Sequence, residues 1–148
     1  MNVIDYAWLI ILAPLAGFLI NGLTGKYLHE RVNGLTGSFA SLISFIISFM
    51  IFMQFTGADP HPPLEIEIFT WFAAGKIFVP AAYLFDTLSL IMIMVVTGVG
   101  TIIHFYSIGY MKGETGFARY FAYLNLFIFF MLNLVLANNL ILMFLGWE

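Results

Sequence analysis

The chain has 148 residues, 62% hydrophobic and only 9% charged, against roughly 45–50% apolar and about 25% charged in soluble domains, which excludes a water-soluble globule of this length. Its net charge is −3, and its five Lys and Arg are scattered singly, so no basic stripe exists to neutralise a phosphate backbone and nucleic acid is excluded as a partner. Cysteine is absent, which removes disulfides, thiol chemistry, and cysteine-ligated zinc or iron–sulfur centres.

From Tyr6 to Gly25 no charge occurs, which predicts a helix of about 30 Å, the thickness of a hydrocarbon core. Asp5 stands where a signal peptide would carry Lys or Arg, so this segment is expected to be a retained membrane helix. Pro14 should kink it. After Lys26, His29, Glu30 and Arg31, a second uncharged run from about Leu35 to Phe55 predicts helix two. Pro60, Pro62 and Pro63 then forbid helix, and Leu64 to Ile68 alternate apolar and charged. That alternation, with the turn Ala74-Gly75-Lys76, predicts a β-hairpin outside the bilayer over about 64–80. Helix three is expected from Thr87 to Met111, capped by Asp86. The uncharged run after Arg119 is too long for one span, and Asn138-Asn139 is expected to divide it into helix four, ending near Ala137, and helix five. Helix five would reach only about 15 Å by Glu148, half a bilayer, so the chain reads as a truncation. The expected fold class is therefore an all-α membrane protein of four complete transmembrane helices plus a truncated fifth, with an extramembrane hairpin between helices two and three.

Several residues in these spans could carry chemistry. Gly34, Gly37, Ser41, Ser44 and Ser48 form one helical stripe, read either as a contact face for another helix or as a polar channel lining. Thr97, Gly98, Gly100 and Thr101 make a comparable zone in helix three. Asn125 and Asn133 lie within about 80° of each other and should point at protein, where interhelical hydrogen bonding explains them without a transport role. His104, followed by Tyr106 and Ser107, is read either as a satisfied interfacial histidine or as a proton relay. Glu148 differs, because a charge near the bilayer centre costs at least roughly 2.5–3.5 kcal/mol and persists where a partner or water-lined path makes it useful. It is the candidate proton-carrying carboxylate.

The runs TGVGTIIHFYSIGYM at Thr97 to Met111, RYFAYLNLF at Arg119 to Phe127, LANNLILMFLGWE at Leu136 to Glu148 and FDTLSL at Phe85 to Leu90 resemble the antiporter-like L subunits of respiratory complex I, the proton-translocating NADH:quinone oxidoreductase. The resemblance is dense over residues 83 to 148, while the first two helices match in layout. The corresponding large chain of multisubunit sodium/proton antiporters is related, but Gly146 before Trp147-Glu148 looks more like complex I, since the antiporter relatives tend to carry a bulky residue there. The resemblance implies a proton-transfer role for Glu148, with a partner lysine two helices later. It also implies a peripheral three-helix layer over 1–112 and the start of an inverted repeat over 113–148. Partners implied are the other membrane subunits of complex I and the lipid bilayer, with no cofactor in this chain and redox chemistry done elsewhere. The alternatives are the corresponding chain of a multisubunit sodium/proton antiporter, or a short non-catalytic scaffold whose small-residue stripe docks a larger partner.

Lys26 and Arg31 follow helix one, and Lys112 and Arg119 follow helix three, whereas the loop between helices two and three holds Lys76 beside Asp59, Glu65, Glu67 and Asp86. The two basic loops should therefore face the cytoplasm of a bacterial-type inner membrane, with the N-terminus and hairpin outside. Single cysteines at Gly57 or Gly75 are expected to react with impermeant thiol reagents from outside, and one at Gly113 is not. The opposite labelling overturns this orientation.

Overall fold

The computed structural model describes residues 6–56, 62–74 and 77–148, with the side chains of 68, 69, 72–74 and 77–79 outside that description. Asp5, Asp59, Pro60 and part of the expected Ala74-Gly75-Lys76 turn fall outside the described residues. The elements in chain order are α1 (Ala7–Thr24), α2 (Glu30–Phe55), β1 (Leu64–Ala74), β2 (Ile77–Phe85), α3 (Thr87–Tyr110), α4 (Phe117–Leu136) and α5 (Leu140–Trp147). The first four helices are each long and apolar enough to cross a membrane, and this is a multi-pass membrane protein. Pro14 lies buried within α1, which continues through it.

Two boundaries depart from the sequence reading. Helix α2 starts at Glu30, five residues before the apolar run, because hydropathy marks only the part of a helix that meets lipid. His29 caps its start by accepting the Arg31 N–H at 3.3 Å, and Glu30 sits in the first turn, where the helix dipole favours a carboxylate. Strand β2 runs on through Pro80 to Phe85, giving an antiparallel register from Leu64↔Phe85 to Ala74↔Ile77. A proline is tolerated there because each strand of a two-stranded ribbon has a free edge. Asp86 does cap α3, accepting the Ser89 N–H at 2.7 Å in a reciprocal capping box.

Helix α4 packs against α1, α2 and α3, and α1 and α3 flank α2. At the hairpin end the centre is apolar, built on Ile10, Ile51, Ile93, Ile128, Leu132 and Leu136, with Leu64, Ile66 and Tyr83 of the hairpin resting on it. Towards the Lys26 and Arg119 end lie the buried polar side chains Asn21, Asn33, Ser38, His104 and Asn125, while Ser48, Ser89 and Asn133 are buried nearer the hairpin. The stripe Gly34, Gly37, Ser41, Ser44 and Ser48 is buried throughout, while Phe39, Ile43, Ile46 and Phe49 of the same helix are exposed towards lipid. Ser44 donates to the Ile10 carbonyl of α1 at 2.7 Å, and Ser41 lies 3.0 Å from the Thr101 hydroxyl of α3. These contacts are those of a helix-packing face.

One close approach is at Gly37, where a Cβ would lie 2.8 Å from Asn125 Nδ2 and 3.0 Å from Phe121 Cδ1. Gly37→Ala is expected to destabilise the full-length subunit by about 1–3 kcal/mol, the usual cost of overpacking, seen as a lower thermal midpoint in detergent. Gly109→Ala, where nothing lies within 4 Å, should leave the midpoint unchanged or slightly raised.

Candidate functional site

The start of α5, the helix that leads to Glu148, is held from two directions. Asn139 caps it by accepting the Leu142 N–H at 2.8 Å, and its amide donates to the Pro80 carbonyl of β2 at 2.6 Å. Asn138 donates its backbone N–H to Ala82 at 3.0 Å and its side-chain amide to the Glu65 carboxylate. Tyr83 pairs its backbone with Ala137 and donates its hydroxyl to Asn133 Oδ1 at 2.5 Å. Burial pushes the Tyr83 phenol above its ordinary value of 10.0. The hairpin thus grips the α4–α5 turn through both of its strands.

Glu148 follows the last turn of α5, its N–H bonded to Phe144 O at 3.0 Å and its side chain exposed. With Gly146 and Trp147 it lines a cavity of about 530 Å³ against Tyr123, Leu126, Phe127, Phe130, Met131 and Leu134 of α4. Glycine at 146 sets this approach, since a Cβ there would fall 2.6 Å from the Leu134 nitrogen and 2.8 Å from its Cα.

His104 lies elsewhere. It is fully buried, its ring against Phe121 at 6.1 Å between centroids. At about 100° per residue, Phe121, Asn125, Ile128 and Leu132 share one face of α4, and the cavity-lining Tyr123, Phe127, Phe130 and Leu134 share the face roughly 180° away. The body of α4 therefore stands between the two candidate groups, and no hydrogen bond among the described residues joins them.

The region around His104 is short of hydrogen-bond donors. His104 Nδ1 lies 2.8 Å from the Gly100 carbonyl, which can only accept, so in the neutral ring the proton is on Nδ1 and Nε2 presents a lone pair. The Asn125 amide donates to Phe121 O at 2.9 Å, that of Asn21 to Asn33 O at 3.1 Å, and that of Asn33 to Gly25 O at 2.9 Å. Backbone carbonyls thus fix all three amide orientations. The interhelical bonding expected of Asn125 is a bond within its own helix, because the carbonyl one turn back is nearest; Asn133 also donates to its own helix, at Phe129, while accepting from Tyr83. Among the described residues Asn21 Oδ1, Asn33 Oδ1, Asn125 Oδ1 and His104 Nε2 are left buried without partners, as is the Ser38 hydroxyl; nearer the hairpin, so are Ser48 Oγ and Gln54 Oε1. Each such group left dry costs about 1–3 kcal/mol, so four acceptors together rival the whole stability of a domain, about 5–15 kcal/mol. His104 is accordingly buried within the bundle and, among the described residues, not satisfied at both nitrogens.

Sequence reasoning passed over Asn21, Asn33 and Tyr83. An asparagine inside the uncharged first span was the available signal for Asn21. Tyr83 had none, since its partner Asn133 is 50 residues away. No group of three or more His, Cys, Asp or Glu side chains able to hold a metal occurs among the described residues.

Residues 71–121 match the sequence family described as NADH-ubiquinone oxidoreductase (complex I), chain 5 N-terminus. The chain is 39% identical to NADH-ubiquinone oxidoreductase chain 5 of Allomyces macrogynus over 139 residues, 94% of this chain and 22% of that protein. It is 38% identical to NADH-quinone oxidoreductase subunit L of Buchnera aphidicola over 148 residues, 100% of this chain and 23% of that one. Against subunit L of Escherichia coli (strain K12) the identity is 39% over 140 residues, 95% of this chain and 23% of that protein. The chain spans less than a quarter of the length of these relatives.

Asn139→Ala removes both the cap and the tie to Pro80, and should cost about 0.5–2 kcal/mol at the start of α5, read as faster hydrogen exchange of its first-turn amides. Asn139→Asp keeps the cap but not the amide donor and should fall between. Because the Tyr83 pKa is raised, its contribution to stability is complete below the unfolded value of 10.0 and declines as pH rises through the folded one. Tyr83→Phe should abolish that alkaline decline in an unfolding titration.

Proposed function

We propose that this chain, which belongs to the family of complex I subunit L and chain 5, is the N-terminal part of a proton-translocating, antiporter-like membrane subunit of NADH:quinone oxidoreductase, with Glu148 as a proton-carrying carboxylate. Its place would be the inner membrane of a bacterial-type cell, beside other membrane subunits of that complex. The observation that carries the reading is the position of Glu148, a carboxylate at the head of an otherwise largely apolar cavity between α4 and α5. An ionisable group kept at the membrane-embedded part of a span is functional by default, because the alternative is an uncompensated cost of transfer into lipid. Redox energy would reach it through neighbouring subunits. The close packing of Gly146 on Leu134 supports the complex I reading over the sodium/proton antiporter relatives, whose bulkier residue could not take this α4–α5 approach.

On this reading the carboxylate takes a proton, passes it on, and is reset by a change in the charge around it. The hairpin's grip on Asn138 and Asn139 holds the start of α5, and so the depth at which Glu148 sits. Glu148→Gln in the full-length subunit keeps shape and hydrogen bonding but removes the titrating group; Glu148→Asp keeps the charge with a shorter reach. Proton uptake into inverted vesicles, normalised to assembled complex, should fall in the order wild type, Asp, Gln. A Gln variant that assembles and pumps at the wild-type rate would remove Glu148 from the mechanism.

A further inference from the structure

We infer that the donor-poor interior between α1, α2, α3 and α4 is a water-binding site, a short file of ordered water that leads from an open cavity to Nε2 of His104. It lies on the opposite side of α4 from Glu148 and does not depend on the role of that carboxylate.

Three observations converge on it. First, the unpartnered atoms share one chemistry. Asn21 Oδ1, Asn33 Oδ1, Asn125 Oδ1 and His104 Nε2 are all acceptors in residues no more than 2% exposed. Most neighbouring hydroxyls cannot fill them, and Ser38, without a partner among the described residues, has one proton for at most one of the four. Thr97, Ser107 and Ser44 donate to the carbonyls of Ile93, Ile103 and Ile10; Thr101 donates to Thr97 O, so Ser41 must spend its own proton on Thr101. Buried polar groups of this kind are met by water, which donates two hydrogen bonds per molecule, so about two molecules are the least that serve four acceptors.

Second, the residues that carry these acceptors are neighbours. Asn21 and Asn33 bond directly, and the Asn21 and Asn125 amide nitrogens both lie beside Gly37, 3.1 and 2.8 Å from where its Cβ would stand. Asn125 bonds Phe121 O, and the Phe121 ring packs on His104. Ser38, fully buried with no partner for its hydroxyl, follows Gly37 on the same helix and supplies a further polar station.

Third, the file has a mouth. Asn21 and Asn33 belong to the wall of a cavity of about 630 Å³ between α1 and α4, whose rim carries Lys26, Glu30, Glu114 and Arg119. Those charges stand at the helix ends, where water meets the bundle. His104 is the titratable side chain buried at the inner end, so the file gives Nε2 hydrogen-bonded contact with the charged end of the bundle.

The test uses the full-length subunit in its native membrane complex. A cryo-electron microscopy map fine enough to show ordered water should place density about 2.6–3.2 Å from His104 Nε2, from Asn125 Oδ1 and from Asn21 or Asn33 Oδ1. Asn125→Leu should remove the density beside His104. A dry interior, or acceptors met instead by side chains of another segment, overturns the inference. Independently, Ser38→Cys should react with silver ion at least about tenfold faster than Ile51→Cys, which is equally buried in the apolar part of the bundle. Equal rates overturn it as well.

Discussion

A polar group inside a membrane bundle has no water to fall back on, and its hydrogen bonds must be found within the protein. Most of the internal architecture follows from how that demand is met. Thr97, Thr101 and Ser107 return their protons to carbonyls one turn back on α3, which leaves their outer surfaces small and nearly apolar. Helix α2 contributes glycine and serine along the same seam, so the backbones approach closely, and Ser44 reaches across to the Ile10 carbonyl that Pro14 leaves without its helical donor. One serine thereby repairs a proline-broken ladder and ties α1 to α2.

The same accounting fails around Gly37, where side-chain amides spend their donors on backbone carbonyls and leave their oxygens unmatched. An apolar core would be more economical there, as it is at the hairpin end. At the hairpin end Asn133 accepts from Tyr83 and Ser89 donates to the Leu84 carbonyl, whereas the amide oxygens near Gly37 find no donor among the described residues, and water is their natural complement.

Helix α4 gives the region its logic. One face carries Phe121, Asn125, Ile128 and Leu132 into the bundle; the other receives α5 and the approach to Glu148. A helix about 10 Å across, side chains included, thus separates a buried histidine from an exposed carboxylate. The hairpin adds a second constraint from outside the bundle, since Glu65, Pro80, Ala82 and Tyr83 all hold the turn from which α5 departs. Motion of the hairpin would be felt first at Asn139 and then along α5.

The number and order of the helices, the hairpin, the Asp86 cap, the Asn138-Asn139 break and the family were legible in the sequence, because each rests on local signals: uncharged length, period-two alternation, capping side chains and short motifs. The helix-two stripe was legible as two alternatives, and only its contacts with Ile10 and Thr101 decided for packing. Hydropathy placed the start of α2 five residues late because it registers lipid contact, and not helical hydrogen bonding, which continues into the charged turn. What the tertiary structure alone decided are relations between distant residues: Tyr83 with Asn133, Asn139 with Pro80, and the convergence of Asn21, Asn33 and Asn125 on Gly37. A linear sequence states which residues are polar. Which of them remain without a donor depends on what the fold brings within about 3 Å, and that is settled only when the helices have packed.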